Sequence, residues 1–149
     1  MSLKNIIIES NIESINIDIE DNEYEEYSDQ AHDLATNSGL RILRDKELYE
    51  IKVDHSKDKV IAALFVTESS ESFSFDIAVD RSYENVGYGS ELVESALDHY
   101  EFLKDVYGED YEIEVHVINP KMKSILKNKF DFEVKAELSP RESIMTFNN

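Results

Sequence analysis

The 149-residue chain has no cysteine, which excludes disulfide cross-links and thiolate catalysis. No window is uniformly apolar over the length that spans a bilayer, so no membrane segment is expected. The apolar run Ile6–Ile8 is too short for a signal peptide. Histidine is sparse: His32, His55, His99 and His116 stand singly, without the spacing of a metal-ligand set, and no metal is expected. Positive charge is scarce as well, with 15 Lys and Arg against 33 Asp and Glu and a net charge of −18. Phosphate contacts need Lys and Arg, so a nucleic-acid partner is not expected. What remains is one soluble cytoplasmic domain over residues 1–149, long enough for a layered core.

The acidic excess has its own pattern. Between Lys4 and Arg41 there is no Lys or Arg, but there are ten acidic residues. Two readings are open: a solvated face that keeps the chain soluble, or a surface that attracts a basic partner or imitates nucleic acid.

Periodicity organises the rest. Asn5–Ile8 is a short apolar run. Ser14–Glu20 alternates, with Ile15, Ile17 and Ile19 on one face, as a half-buried strand does. From Glu23 to Thr36 the period changes: Tyr24, Tyr27, Ala31 and Leu34 share one helix face, and Gly39 follows as a stop. Leu48–Val53 alternates with Tyr49, Ile51 and Val53 on one side. Val60–Thr67 is apolar on both faces and reads as a central strand. Phe73–Val79 alternates again, and polar turns join these three runs as a meander. Ser90–Val106 repeats at helical spacing, and Tyr111–Ile118 is a further strand. Asn119–Pro120 is a capped helix start for a segment rich in lysine, with Lys121, Lys123, Lys127 and Lys129. Phe132–Leu138 and Ser143–Phe147 close the chain. The order β-α-β-β-β-α-β-α-β-β predicts an α/β domain with a mixed sheet.

One junction stands out. Val79 to Ser90 reads V-D-R-S-Y-E-N-V-G-Y-G-S, and two of the four glycines, Gly87 and Gly89, lie between a strand and a helix. Glycine there lets backbone approach a ligand, and the amides that open a helix attract anions. Such a turn binds phosphate without a basic side chain.

With Val79, Tyr83, Gly87 and Gly89 at this junction, and Asn119 and Phe132 around the next helix, the chain resembles the GNAT family of acetyl-coenzyme A-dependent N-acetyltransferases. The resemblance covers nearly the whole length. It implies a mostly antiparallel central sheet with flanking helices, in which the fourth and fifth strands run parallel and splay apart. It also implies acetyl-coenzyme A as co-substrate and an amine acceptor. In family terms, backbone of Ile77, Ala78 and Val79 would meet the pantetheine arm and the thioester oxygen. The amides of Val86, Gly87, Tyr88, Gly89 and Ser90 would hold the pyrophosphate. Asn119 would contact the arm, and the lysine helix could meet the nucleotide phosphates.

The chain also departs from the family pattern. Glu84 stands in place of Arg or Gln, Asn85 in place of a frequent Gly, Val86 in place of Arg or Lys, and Asp131 in place of the Gly before Phe132. Leu126 and Lys127 occupy the positions nearest to the family's acidic tyrosine. A general base must accept the amine's proton. Asp76 is the catalytic candidate, on a strand face shared with Ser72, Ser74, Ala78 and Asp80 that also reads as solvated. Tyr88 reads as a packing residue, and Tyr83 as a loop residue with its hydroxyl in reach of the cofactor. Two function classes follow: acetyl transfer to a cationic acceptor (a polyamine, small amine or protein amine), or a non-catalytic acidic module that binds a basic protein.

Overall fold

The computed structural model describes residues 11–17, 25–40 and 46–147. Their elements are β1 (Ile12–Asn16), α1 (Glu25–Asn37), β2 (Glu47–Asp54), β3 (Lys59–Glu68), β4 (Ser72–Val79), α2 (Tyr88–Tyr107), β5 (Glu112–Val117), α3 (Pro120–Lys129), β6 (Phe132–Glu137) and β7 (Ser143–Phe147). The strands make one mixed seven-stranded sheet in the order β1-β2-β3-β4-β5-β7-β6. Its β1–β2, β5–β7 and β6–β7 pairs are antiparallel. β4 and β5 are parallel, and they pair at Ser72–Glu112 and Phe73–Ile113, the first two positions of each strand. Parallel neighbours need a crossover, which α2 provides. The expected element order holds through the described residues. The Asn5–Ile8 run and residues Asp18–Glu20, Glu23 and Tyr24 lie outside them.

Two compact units divide the chain: Met1–Phe65 with Ile77–Leu92, and Val66–Asp76 with Val93–Asn149. In the first, α1 packs Ala31 and Ala35 against Ile51, Val53, Ala63, Phe65 and Ala78, with Ile15, Ile17, Tyr27 and Leu34 around them. Alanine at i and i+4 presents one narrow face, which lets the helix approach the sheet closely. Gln30 Oε1 accepts from the Val60 amide at 2.9 Å, and the Tyr27 hydroxyl donates to Asp58 at 3.0 Å, which ties α1 to the β2–β3 turn. Asp58 takes a positive φ of 48° there.

The second unit is aromatic. Phe75 meets Phe132 edge-on at 6.3 Å, and Phe73 stacks on Tyr100 at 6.3 Å. Tyr100 and Tyr107 both stack on Tyr111, at 5.9 and 5.2 Å. The Tyr111 hydroxyl donates to the Ser69 and Ser72 carbonyls, and Tyr100 donates to the Tyr111 carbonyl at 2.8 Å. A buried phenol keeps a partner for its hydroxyl, and burial pushes the Tyr111 pKa up to about 12. Asn119 caps α3 by accepting from the Lys121 amide at 2.8 Å, and Pro120 opens the helix. No described helix is long and apolar enough to cross a membrane.

Candidate functional site

The junction after β4 is built one residue at a time. Strand β4 ends at Val79, with Ala78 buried and Ile77 and Val79 half-buried. The Asp80 amide continues the strand's bonding to the Ile61 carbonyl at 2.8 Å. Its side chain then accepts from the Ser82 amide and opens a 3-10 turn over Arg81–Tyr83. Lys59 on β3 pairs with Asp80 at 2.8 Å. The pair lowers the Asp80 pKa and raises that of Lys59.

Beyond the turn the chain is left-handed twice, at Asn85 (φ 68°) and Gly87 (φ 99°). Asn is among the few residues that tolerate this region, so the Asn85 that replaces a family glycine keeps a glycine-like backbone. Asp131 before Phe132 does the same at φ 58°. Both positions hold a left-handed backbone of the kind that glycine adopts readily. A Cβ at Gly87 would meet nothing within 4 Å, so φ, not crowding, selects glycine there. Val86 between them is 61% exposed.

Helix α2 begins at Tyr88, two residues before the expected Ser90, because the Glu91 amide already bonds the Gly87 carbonyl at 3.1 Å. Gly87 is therefore the cap. The amides of Tyr88, Gly89 and Ser90 precede the i→i+4 ladder and lie at the positive end of the helix dipole.

The loop is anchored by side chains the sequence did not single out. Strand β2 was expected to bury one face; it buries both, including Glu50, Lys52 and Asp54. Asp54 accepts from the Ser56 hydroxyl at 2.5 Å, the Ser56 amide at 3.0 Å and the Tyr83 hydroxyl at 2.5 Å. These bonds hold the Asp54 carboxyl below its usual pKa. In turn, the Asp54 contact pushes the Tyr83 phenol up to about 12. The Tyr83 hydroxyl thus fixes the loop to β2. Lys52 Nζ contacts Ser14 Oγ at 2.8 Å and Glu91 Oε2 at 2.6 Å, and lies 5.6 Å from the centroid of the Tyr88 ring. The ring role expected of Tyr88 holds: it also packs against Tyr83, with centroids 6.5 Å apart.

The second unit holds the remaining expected residues. Asp76 is 6% exposed and Ala78 is buried, whereas Ser72 on the same face is exposed and Ser74 and Asp80 are half-buried, so the face expected to be solvated is so only in part. Asn119 uses Oδ1 for its helix cap, so a ligand contact from its side chain falls to Nδ2. On α3, Lys123 pairs with Glu137 at 3.3 Å. Lys121, Lys127 and Lys129 are exposed.

A scan against protein-family models finds no match, nor does a search of curated proteins. Solved structures do match. Naa50 of Arabidopsis thaliana, in complex with the bisubstrate analogue CoA-Ac-MVNAL, is 16% identical with a TM-score of 0.61, over 93% of this chain and 99% of that one. A mutant SpeG spermidine N-acetyltransferase from Vibrio cholerae is 13% identical with a TM-score of 0.61, over 92% of both chains. A probable acetyltransferase of unknown function from Staphylococcus aureus is 23% identical with a TM-score of 0.58, over 86% of this chain and 94% of that one. With its glycine turn between β4 and α2 and its parallel β4–β5 pair, the chain has the fold of the GNAT acetyltransferases.

Proposed function

We propose that the chain is an N-acetyltransferase of the cytoplasm, a single GNAT-like domain over residues 1–149. It moves an acetyl group from acetyl-coenzyme A to the primary amine of a cationic acceptor: a polyamine, a small amine or a protein amine. The observation that carries this reading is the backbone before α2. Asn85 and Gly87 are left-handed there, and the amides of Tyr88, Gly89 and Ser90 precede the helix's i→i+4 ladder, a local arrangement that favours an anion. The likeness to Naa50 with a coenzyme A bisubstrate analogue and to a spermidine N-acetyltransferase supports the same chemistry.

In this reading the pyrophosphate lies on the amides of Val86, Gly87, Tyr88, Gly89 and Ser90. Backbone of Ile77, Ala78 and Val79 pairs with the pantetheine arm and donates to the thioester oxygen as it gains charge. Asn119 assists along the arm. The acceptor ammonium loses a proton to Asp76, directly or through water, and its nitrogen attacks the carbonyl carbon. The C–N bond forms and the C–S bond breaks, and the second proton of the nitrogen passes to the leaving thiolate. Tyr83, bonded to Asp54 and with a raised pKa, fixes the loop and is a poor proton donor. The net charge of −18 favours a cationic acceptor over an anionic one.

Glu84 in place of a family Arg or Gln, and Leu126 and Lys127 near the family tyrosine, favour a second reading, a non-catalytic acidic module that binds a basic protein. Calorimetric titration with acetyl-coenzyme A, followed by thiol release with spermidine as acceptor, separates the two. The enzyme reading expects binding heat and turnover. No heat or thermal shift at millimolar acetyl-coenzyme A, in wild type and in Glu84→Gln alike, would leave the binding module as the better account.

A further inference from the structure

The first unit buries a lysine where a cation is least expected. Lys52 is 4% exposed, on a strand interior, next to the positive end of a helix. Its ammonium reaches three residues on two other elements: Ser14 on β1, and Tyr88 and Glu91 on the first turn of α2. Tyr88 and Glu91 are three residues apart and share a helix face. They bracket Gly89 and Ser90, whose amides belong to the opening turn.

Glu91 is the source of a conflict. An acid in a helix's first turn complements the dipole, and by the same charge it repels an anion that comes to that turn. Glu91 is the acidic residue of the first turn of α2, and Glu84 adds a negative charge in the preceding loop, where the family resemblance implies Arg or Gln. Lys52 is the cation that meets Glu91, at 2.6 Å. The lysine side chain is 5% exposed and the glutamate 56%, so the cation is fixed and the carboxylate is drawn to it.

We propose that Lys52 is a positioning residue for phosphate binding at the start of α2. It clamps the opening turn to β1 and β2 through Tyr88 and Glu91, and it cancels the charge of Glu91 so that the turn stays receptive to an anion. This rests on the reading of Val86 to Ser90 as the pyrophosphate site of acetyl-coenzyme A, and it adds a strand residue far from the glycine loop in sequence. A purely structural lysine would support the fold without regard to what the ligand carries. A positioning role discriminates between ligands with and without phosphate.

The test is calorimetric titration of two ligands, acetyl-coenzyme A and S-acetylpantetheine, which lacks the pyrophosphate. Lys52→Met is expected to weaken acetyl-coenzyme A about tenfold, since an uncompensated carboxylate is left at the helix start, and to leave S-acetylpantetheine unmoved. Lys52→Met combined with Glu91→Leu removes both charges at similar volume, a change that buried pairs tolerate, and should return acetyl-coenzyme A to within about threefold of wild type. Lys52→Arg should also retain most of the affinity. The proposal is overturned if Lys52→Met binds acetyl-coenzyme A like wild type, if both ligands weaken equally, or if the paired variant is as weak as the single one. The paired variant keeps the test decisive should Lys52→Met fail to fold: weak binding by a folded pair rejects it. A wild-type protein that binds no acetyl-coenzyme A rejects the acetyltransferase reading itself, a different result from binding that ignores Lys52.

Discussion

Gly87 offers the sharpest test of the loop, because its two consequences separate. At φ 99° any L-residue is strained, although a Cβ there would meet no neighbour within 4 Å. The left-handed backbone costs a non-glycine residue roughly 1–2 kcal/mol. For a chain of this size each kcal/mol lowers the melting temperature by roughly 2–4 °C, so Gly87→Val should melt about 2–8 °C lower and remain folded. Its effect on acetyl-coenzyme A should be far larger. A branched side chain at the cap either projects into the space where the pyrophosphate lies or forces φ negative and turns the amides away. Both routes abolish binding, and only the first carries the full thermal cost. Asn85→Gly is the counterpart: it restores a glycine at φ 68° and should leave both stability and binding close to wild type. Thermal unfolding and calorimetric titration of the three proteins measure both quantities. Wild-type affinity in a folded Gly87→Val would refute the placement of phosphate on these amides.

Four further outcomes are expected. Tyr83→Phe removes a bond to a charged, buried carboxylate and should cost roughly 1.5–3 kcal/mol in chemical denaturation; a loss near zero would mean the loop does not depend on Asp54. The folded Asp54 pKa lies below its ordinary value, so its contribution to stability is present above the unfolded carboxylate pKa and is lost as pH falls through the folded one; acid titration of Asp54→Asn should show a flatter stability profile than wild type, and an identical profile would reject this. Asp76→Asn should lower the maximal rate with spermidine by about 10²–10⁴-fold while acetyl-coenzyme A binding persists, and an unchanged rate would remove Asp76 as the base. If the acidic stretch before Arg41 recruits a basic partner, neutralising Glu23, Glu25 and Glu26 should weaken polyamine binding and flatten its salt dependence, whereas no change marks the stretch as a solubility feature.

Much of the fold was legible because its signals are local. Alternation located β3, β4, β5 and β7 to within a residue or so, and Asn119–Pro120 marked the start of α3. The missed features depend on partners remote in sequence. Lys52 and Asp54 look like the wet side of an alternating strand until Glu91 and Tyr83 are brought to them. Asp76 likewise sits in a pattern that reads as solvated, and tertiary packing buries it. Gly89 weakens helix propensity, so the sequence pattern starts α2 only at Ser90, whereas the bond from Glu91 to Gly87 shows the helix already formed two residues earlier. Asn85 and Asp131 read as losses of glycine, but both hold left-handed backbones that glycine also adopts, which side-chain identity alone does not reveal.

The stacked rings of Tyr100, Tyr107 and Tyr111 give this protein an optical handle. It has no tryptophan, so tyrosine dominates its near-ultraviolet signal. Rings held 5.2 and 5.9 Å apart couple their transitions, and the resulting circular dichroism should collapse when the second unit opens. Alkaline ionisation is a second channel that covers both units, since Tyr83 in the first and Tyr111 in the second are each held up to a pKa of about 12 and ionise readily only once their surroundings open. One unlabelled sample, followed by circular dichroism and by tyrosinate absorbance through a melt at high pH, would therefore reveal whether the two units unfold in one cooperative step or in sequence.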